Sequence, residues 1–242
     1  MRRFVLVLAV LALAGCGGSE KAATGPETTT GPTVAQGDHD VRVYFLQGGR
    51  VAAAARVVRG PDVGAAALDA LEQGPSEKER LAALTSDVSG LGELSIDNTA
   101  ATVAGLERLP RLGKAQVVYT LTQFPSVQTV NGFDRADFED ETPAILVESP
   151  SFGATVRSPI RVTGTANTFE ATFQYELKDD GGTVLAKHFV TATSGNGQRG
   201  TFAFNVPYDG GNAGPGTLVV YEISAADGSR IHTREIPLNL AP

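Results

Sequence analysis

Several residue types are scarce in this chain, and each scarcity excludes a class of protein. The 242 residues contain no tryptophan, one methionine and one cysteine. A single thiol excludes both a disulfide framework and a zinc site built from several thiolates. The formal net charge is −7, and without a basic patch we expect no nucleic-acid partner. The remaining composition is that of a globular protein, and the length allows one or two domains.

The one cysteine directly follows an apolar N-terminal segment. After Met1-Arg2-Arg3, residues 4–14 are apolar without interruption. This run is shorter than the roughly 20 residues of a spanning helix and is typical of a secretory signal. Leu13-Ala14-Gly15-Cys16 resembles the lipobox of bacterial lipoproteins. The resemblance implies a signal peptide over residues 1–15, diacylglycerol on Cys16, and a lipid anchor on the extracytoplasmic face of the membrane. The alternative is an ordinary signal peptide with a chance cysteine.

Residues 16–40 are rich in glycine, serine, threonine, proline and glutamate, with almost no large apolar side chain. Such a segment cannot bury enough surface to offset the entropy lost on ordering. The sequence therefore predicts a flexible tether that holds the folded part away from the membrane.

Residues 41–133 predict an α+β domain. Strands are expected over 41–46, 51–58, 91–96, 99–104 and 126–130, and the helical pattern follows Asp62, Ser76 and Lys114. Ser76 with Glu79 is a capping box at the start of a helix that extends through Leu84. The last helix is expected over 114–124. This order predicts one mixed sheet with helices packed on one of its faces.

This segment also resembles the GerMN (sporulation and spore germination) family. The resemblance is carried by Val43-Tyr44-Phe45, by Gly74-Pro75 and most specifically by the phrase from Gln116 to Pro125. Within that phrase Gln116 and Thr120 are one helical turn apart. The family implies a role in protein assembly at the cell envelope.

An acidic segment follows over residues 134–143. It carries five carboxylates and ends at a proline. We interpret it as a solvated interdomain linker. The alternative is a calcium site, although the spacing and the glycine of an EF-hand loop are absent.

Residues 144–242 predict an all-β domain. Ile160, Val162 and Gly164 alternate with polar residues, and about seven short strands are separated by turns, which is typical of a sandwich. Ser149-Pro150 and Ser158-Pro159 each precede a run with valine, threonine and glycine. This spelling resembles the immunoglobulin-like domain of bacterial spore germination, which implies an extracytoplasmic sandwich without implying an activity.

The motifs of catalysis and cofactor binding are weak or missing. Residues 195–200 spell G-x-G-x-x-G, but strands are expected on both sides, so we interpret them as a hairpin loop and not as a nucleotide site. The three histidines, His39, His188 and His232, show no spacing typical of metal ligands, and no G-x-S-x-G elbow is present. We therefore predict no enzyme activity, no cofactor and no metal.

Aromatic residues are the better indication of binding. Six of them crowd one region of the expected sandwich, and at most half are expected in its core: Phe169, Phe173, Tyr175, Phe202, Phe204 and Tyr208. Phe169-Glu170, just before a strand, is the candidate partner-binding lip, with core packing and a turn as its alternative.

Together these features predict a lipid-anchored binding or scaffold protein of the cell envelope, related to spore germination proteins. Its expected partners are the membrane, through the lipid on Cys16, and an envelope protein or peptidoglycan. The alternatives are a solute-binding lipoprotein that serves a transporter and a cryptic envelope hydrolase.

Overall fold

The computed structural model describes residues 37–242. These residues belong to one compact unit, and their buried apolar side chains make two core clusters. The division into two domains on either side of residues 134–143 stays a prediction.

The first core lies among two small sheets and three helices. One sheet is antiparallel in the order β2-β1-β3, and the other has the order β4-β5-β6 with β5 parallel to β6. The bounds are Asp38–Gln47 (β1), Arg50–Arg59 (β2), Leu84–Thr85 (β3), Leu94–Asp97 (β4), Ala100–Val103 (β5), Thr129–Val130 (β6), Val63–Glu72 (α1), Glu77–Leu81 (α2) and Arg111–Leu121 (α3). The prediction of one mixed sheet is therefore wrong.

Local sequence explains where α1 and α2 begin. The Asp62 side chain accepts a hydrogen bond from the backbone N–H of Ala65 at the start of α1. Ser76 and Glu79 form the predicted capping box of α2, which satisfies two backbone donors at once. The predicted continuation of this helix is wrong, because α2 ends at Leu81 and Leu84 pairs with Gln47 in β3.

The second core is enclosed by two further sheets. Their strand orders are β11-β10-β13-β14-β8 and β12-β9-β7. The bounds are Ile145–Ser149 (β7), Thr155–Val156 (β8), Ile160–Ala166 (β9), Thr172–Asp179 (β10), Val184–Thr191 (β11), Gly200–Val206 (β12), Gly214–Ile223 (β13) and Arg230–Leu240 (β14). Burial alternates along β9 as its period-2 pattern predicts, with Ile160 and Val162 inside. Ser158-Pro159 directly precedes β9 as a strand start, whereas Ser149-Pro150 lies at the end of β7, so its interpretation as a strand start is wrong; both peptide bonds are cis.

The acidic segment between the two cores is folded. Residues Ala136–Glu141 form a 3₁₀ turn, and Phe138 within it is 1% exposed and belongs to the first core. The Arg111 side chain of α3 donates hydrogen bonds to Glu141 and to the backbone carbonyl of Asp137. The segment is therefore packed against α3 and is more than a solvated spacer.

Strand β7 contributes to both cores. Its Ile145 and Val147 side chains pack in the second core, while Leu146 between them packs in the first. The segment after β7 also returns to the first core, because Phe152 exchanges backbone hydrogen bonds with Ala53 and Ala55 of β2. The connection between the cores is thus a continuous stretch of packed and hydrogen-bonded chain.

Candidate binding sites

The predicted lipid anchor lies at the undescribed end of the chain. Cys16, the signal peptide of residues 1–15 and nearly all of the predicted tether are outside the described residues. The tether boundary at residue 40 is wrong by three positions, since β1 already begins at Asp38. His39, which was expected in the tether, is accordingly part of that strand.

The polar side chains on and just after α3 form hydrogen bonds with the backbone at one edge of β1. Strand β1 pairs with β3 only through its last two residues, so the rest of that edge lacks a neighbouring strand. The Gln116 side chain donates to the Tyr44 carbonyl (2.9 Å), and the Tyr44 N–H donates to Thr120 Oγ1 (3.1 Å). Gln123 exchanges two hydrogen bonds with the backbone of Arg42. Buried backbone groups need such partners, so these side chains complete the edge of β1.

A polar junction beside this edge joins the two cores. Glu148, at the end of β7, accepts hydrogen bonds from the Tyr44 hydroxyl (2.5 Å) and from Arg135 Nη1 (2.6 Å). The Arg135 guanidinium also lies 4.7 Å from the ring centroid of Tyr119, within cation–π range. Burial and the Glu148 carboxylate both raise the pKa of the Tyr44 hydroxyl, so it remains a donor in this junction.

The predicted lip, Phe169 and Glu170, lies in a tightly held turn before β10. Phe169 is 56% exposed, whereas its backbone N–H donates to the buried Glu222 carboxylate at 2.8 Å. Glu170 and Ala171 have φ values of 52° and 56°. Two consecutive non-glycine residues in the left-handed region are strained and persist only where their surroundings hold them. The turn therefore presents Phe169 in a fixed position.

The G-x-G-x-x-G run holds this turn from the other side. It has a strand on each side as predicted, but the predicted hairpin is wrong, because β11 and β12 lie in different sheets. A Cβ on Gly195 would lie 2.5 Å from the Ala171 nitrogen and the Thr168 oxygen. Asn196 accepts a hydrogen bond from the Glu170 N–H. The glycine at position 195 therefore serves close backbone packing.

The six crowded aromatic residues are mostly core residues. Phe173, Tyr175, Phe202 and Tyr208 are at most 9% exposed. Phe204 packs against the same core and stacks on Tyr175 at 4.8 Å between ring centroids. The expectation that at most half would face the core is wrong, because both sheets supply aromatic side chains to one interior. Phe169 is the exposed member of the six.

A cluster of charged residues on the outer side of the five-stranded sheet was missed. Glu176 of β10 is 3% exposed. Its carboxylate accepts hydrogen bonds from Arg230 (2.6 and 3.2 Å) and from the Tyr221 hydroxyl (3.0 Å). Lys178 and Lys187 lie 3.3 and 3.2 Å from its oxygens. The sequence carried one signal: Glu176 and Lys178 alternate with the apolar core residues of β10.

Hydrogen bonding decides the charge state of this cluster. Burial alone raises the pKa of Glu176, but hydrogen bonds from Arg230, Tyr221, Lys187 and Lys178 outweigh it and lower that pKa to about 2. The hydrogen bond to the Glu176 carboxylate in turn raises the pKa of Lys187 and of Arg230. At neutral pH the cluster therefore holds one carboxylate and three cations.

The structure also contains a cleft of about 770 Å³ between β1–β2 and the segment that follows β7. This volume is within the range of small-molecule sites. Arg42, Arg56 and Glu148 are among its lining residues. Arg42 Nε is buried and has no hydrogen-bond partner among residues 37–242.

Two kinds of feature are absent from the part of the chain that the structure describes. None of the helices found in residues 37–242 is long and apolar enough to cross a membrane. Within the same residues, no group of three or more histidine, cysteine, aspartate or glutamate side chains is placed to hold a metal ion.

Comparison with known proteins gives a family match for one part of the chain. No curated protein matches it. Among solved structures it is similar to the crystal structure of CopC from Methylosinus trichosporium OB3b, with 15% identity, a TM-score of 0.27, and coverage of 40% of this chain and 94% of that one. With the strands of the second core in place, residues 144–229 match the model of the family described as the immunoglobulin-like domain of bacterial spore germination.

Proposed function

We propose that this protein is a lipid-anchored, non-catalytic binding protein on the extracytoplasmic face of a bacterial membrane. In this proposal Cys16 carries the lipid, residues 41–133 act as a GerMN-type domain, and the immunoglobulin-like sandwich presents a binding lip to an envelope protein or peptidoglycan. The match of residues 144–229 to a spore germination domain supports the envelope context.

The observation that carries the proposal is the exposure of Phe169 on a turn with a fixed conformation. A large aromatic side chain that is 56% exposed and already ordered loses little conformational entropy when a partner covers it. Aromatic residues, including phenylalanine, are enriched at protein–protein interfaces relative to the rest of the surface. Glu170 beside it supplies a carboxylate at the rim of the contact.

Photocrosslinking in intact envelopes tests this proposal. A photoreactive benzoyl-phenylalanine replaces Phe169 in one variant and Ile96, which is 45% exposed in β4, in the control. We expect a discrete crosslinked product at position 169 and none at position 96. Equal products at both positions, or none at 169, would refute the lip. Release of soluble muropeptides from sacculi by the purified protein would refute the non-catalytic assignment and favour an envelope hydrolase.

The lipid anchor has a separate test. The variant Cys16→Ala should take up no labelled palmitate in cells, whereas the parent chain should be labelled, because position 16 has the one thiol of the sequence. Label in the variant would overturn the lipoprotein assignment and leave an ordinary signal peptide.

A second candidate function is the capture of an anionic solute, and the cleft beside Arg42 favours it. The guanidinium there has a buried nitrogen with no partner in the described part of the chain. Thermal stabilisation of the parent protein by small acidic metabolites, lost in Arg42→Met, would support capture. Absence of stabilisation across such a set would exclude it.

A further inference from the structure

The charged cluster around Glu176 has more positive charge than its carboxylate balances. The cationic groups of Lys178, Lys187 and Arg230 each lie within 3.3 Å of one oxygen of the Glu176 carboxylate. Three cations against one anion leave an excess of two positive charges in a chain whose formal net charge is −7. Like charges this close repel each other unless a further anion approaches.

The cationic groups remain accessible from solvent. The side chains of Lys178, Lys187 and Arg230 are 30%, 51% and 44% exposed, while that of Glu176 is 4% exposed. An ammonium group has three donors, so contact with one carboxylate leaves donors on both lysines. Arg230 is more constrained, because it makes two hydrogen bonds to Glu176 and lies 4.0 Å from the ring centroid of Tyr221.

Strand register places an exposed aromatic residue beside Lys187. In β11, Lys187 pairs with Glu176 and Phe189 pairs with Gln174, so both side chains are on the same face of the sheet. Phe189 is 61% exposed. A carboxylate on the same face, Glu235, pairs with Val219 on the side of Glu176 away from Lys187. The excess positive charge is therefore concentrated between β10 and β11.

We propose that Lys178 and Lys187, gathered by the buried Glu176 and its partner Arg230, bind an oxyanion, which is a carboxylate or phosphate group of an envelope polymer. Glu176 acts as the positioning residue, because it brings the two ammonium groups together without itself touching the ligand. Phe189 borders the site and contacts the apolar part of the unit that carries the anion. This site is separate from Phe169 and adds a ligand class to the proposed binding function.

Protection from chemical labelling tests the site in the full-length parent protein, without substitutions, purified in detergent. Acetylation of each lysine is followed by mass spectrometry while inorganic phosphate replaces chloride at constant ionic strength. We expect phosphate to slow the labelling of Lys178 and Lys187 saturably and to leave Lys78 and Lys114 unaffected. Equal protection of all four lysines, or of none, would overturn the proposal whether or not the protein binds an envelope component.

Sacculus binding then tests the polymer. The variant Lys178→Gln/Lys187→Gln is compared with Lys78→Gln/Lys114→Gln, which removes the same charge elsewhere. Because a hydrogen bond to a charged group contributes about 1.5–3 kcal/mol, we expect roughly a tenfold or larger rise in Kd for the first pair alone. Equal changes in both pairs would overturn the proposal.

The source of the anion follows from one further arm of this experiment. Sacculi stripped of phosphodiester-linked polymers retain binding if the ligand is a peptidoglycan carboxylate and lose it if the ligand is a phosphate. If lysine protection by phosphate is seen but the parent protein binds no envelope fraction, the oxyanion site stands and the proposed envelope function fails.

Discussion

The contact between α3 and the edge of β1 allows a quantitative prediction. Thr120 and Tyr44 are both fully buried, and the Tyr44 N–H donates to Thr120 Oγ1 at 3.1 Å. The substitution Thr120→Val keeps the shape of the side chain and removes the acceptor. A buried donor left without a partner costs about 1–3 kcal/mol, and we expect the free energy of unfolding to fall by that amount.

The measurement is urea unfolding followed by circular dichroism, since the chain has no tryptophan. The slope with denaturant should stay unchanged while the midpoint falls. Hydrogen exchange at the Tyr44 amide should accelerate relative to its neighbours in β1. The matched control is Thr102→Val at an exposed position of β5. If the loss at position 120 does not exceed the loss at position 102, the edge is not stabilised by this hydrogen bond.

Three further predictions concern the other polar and tightly packed sites. Because the pKa of Glu176 falls from 4.5 to about 2 in the fold, its stabilisation is complete above about pH 4.5 and is lost as pH falls toward 2; Glu176→Gln should flatten this part of the stability profile in acid titrations. Gly195→Ala places a methyl group 2.5 Å from backbone atoms and should cost about 1–3 kcal/mol of unfolding free energy, whereas Gly211→Ala, with its nearest atom at 3.5 Å, should be neutral. Arg135→Gln removes a donor from Glu148 and should cost about 1–3 kcal/mol; an unchanged unfolding midpoint would show that the junction does not stabilise the fold.

Local signals in the sequence were sufficient where neighbouring residues decide the structure. The capping box of Ser76 and Glu79 placed the start of α2, and the alternation in β9 placed its buried face. The final helix was predicted three residues late at both ends. It ends at Leu121, and two residues later the Gln123 side chain is hydrogen-bonded to β1, a contact with a segment about 80 residues away that no local pattern contains.

The prediction of a single mixed sheet is wrong because of the same kind of long-range contact. Pairing of β1 with the later strands would need a free edge. Beyond the two residues paired with β3, the side chains of Gln116 and Thr120 in α3 and of Gln123 just after it bind that edge. The spacing of Gln116 and Thr120 is visible in the sequence, but the backbone groups that these side chains satisfy are not. Strands β4, β5 and β6 form a separate sheet.

The sequence predicts one of the candidate sites, Phe169, but not the other, the cluster around Glu176. Phe169 is predicted from the sequence because it belongs to an aromatic-rich region and lies just before a strand, and its function stays a prediction. The Glu176 cluster was missed because its members come from three strands and from residues as far apart as 176 and 230. Only strand register brings these charges together, and register depends on the whole sheet.

The sharing of β7 between the two cores limits how this protein can be divided for experiments or by evolution. A fragment ending at residue 143 would lack Leu146 in its interior and Phe152 along the edge of β2. A fragment beginning at residue 144 would instead expose the Leu146 side chain to water. Each half thus carries a part of the other, so the immunoglobulin-like segment is not a freely exchangeable module here. Recombination that grafts it onto another protein must also supply a surface that receives the second face of β7.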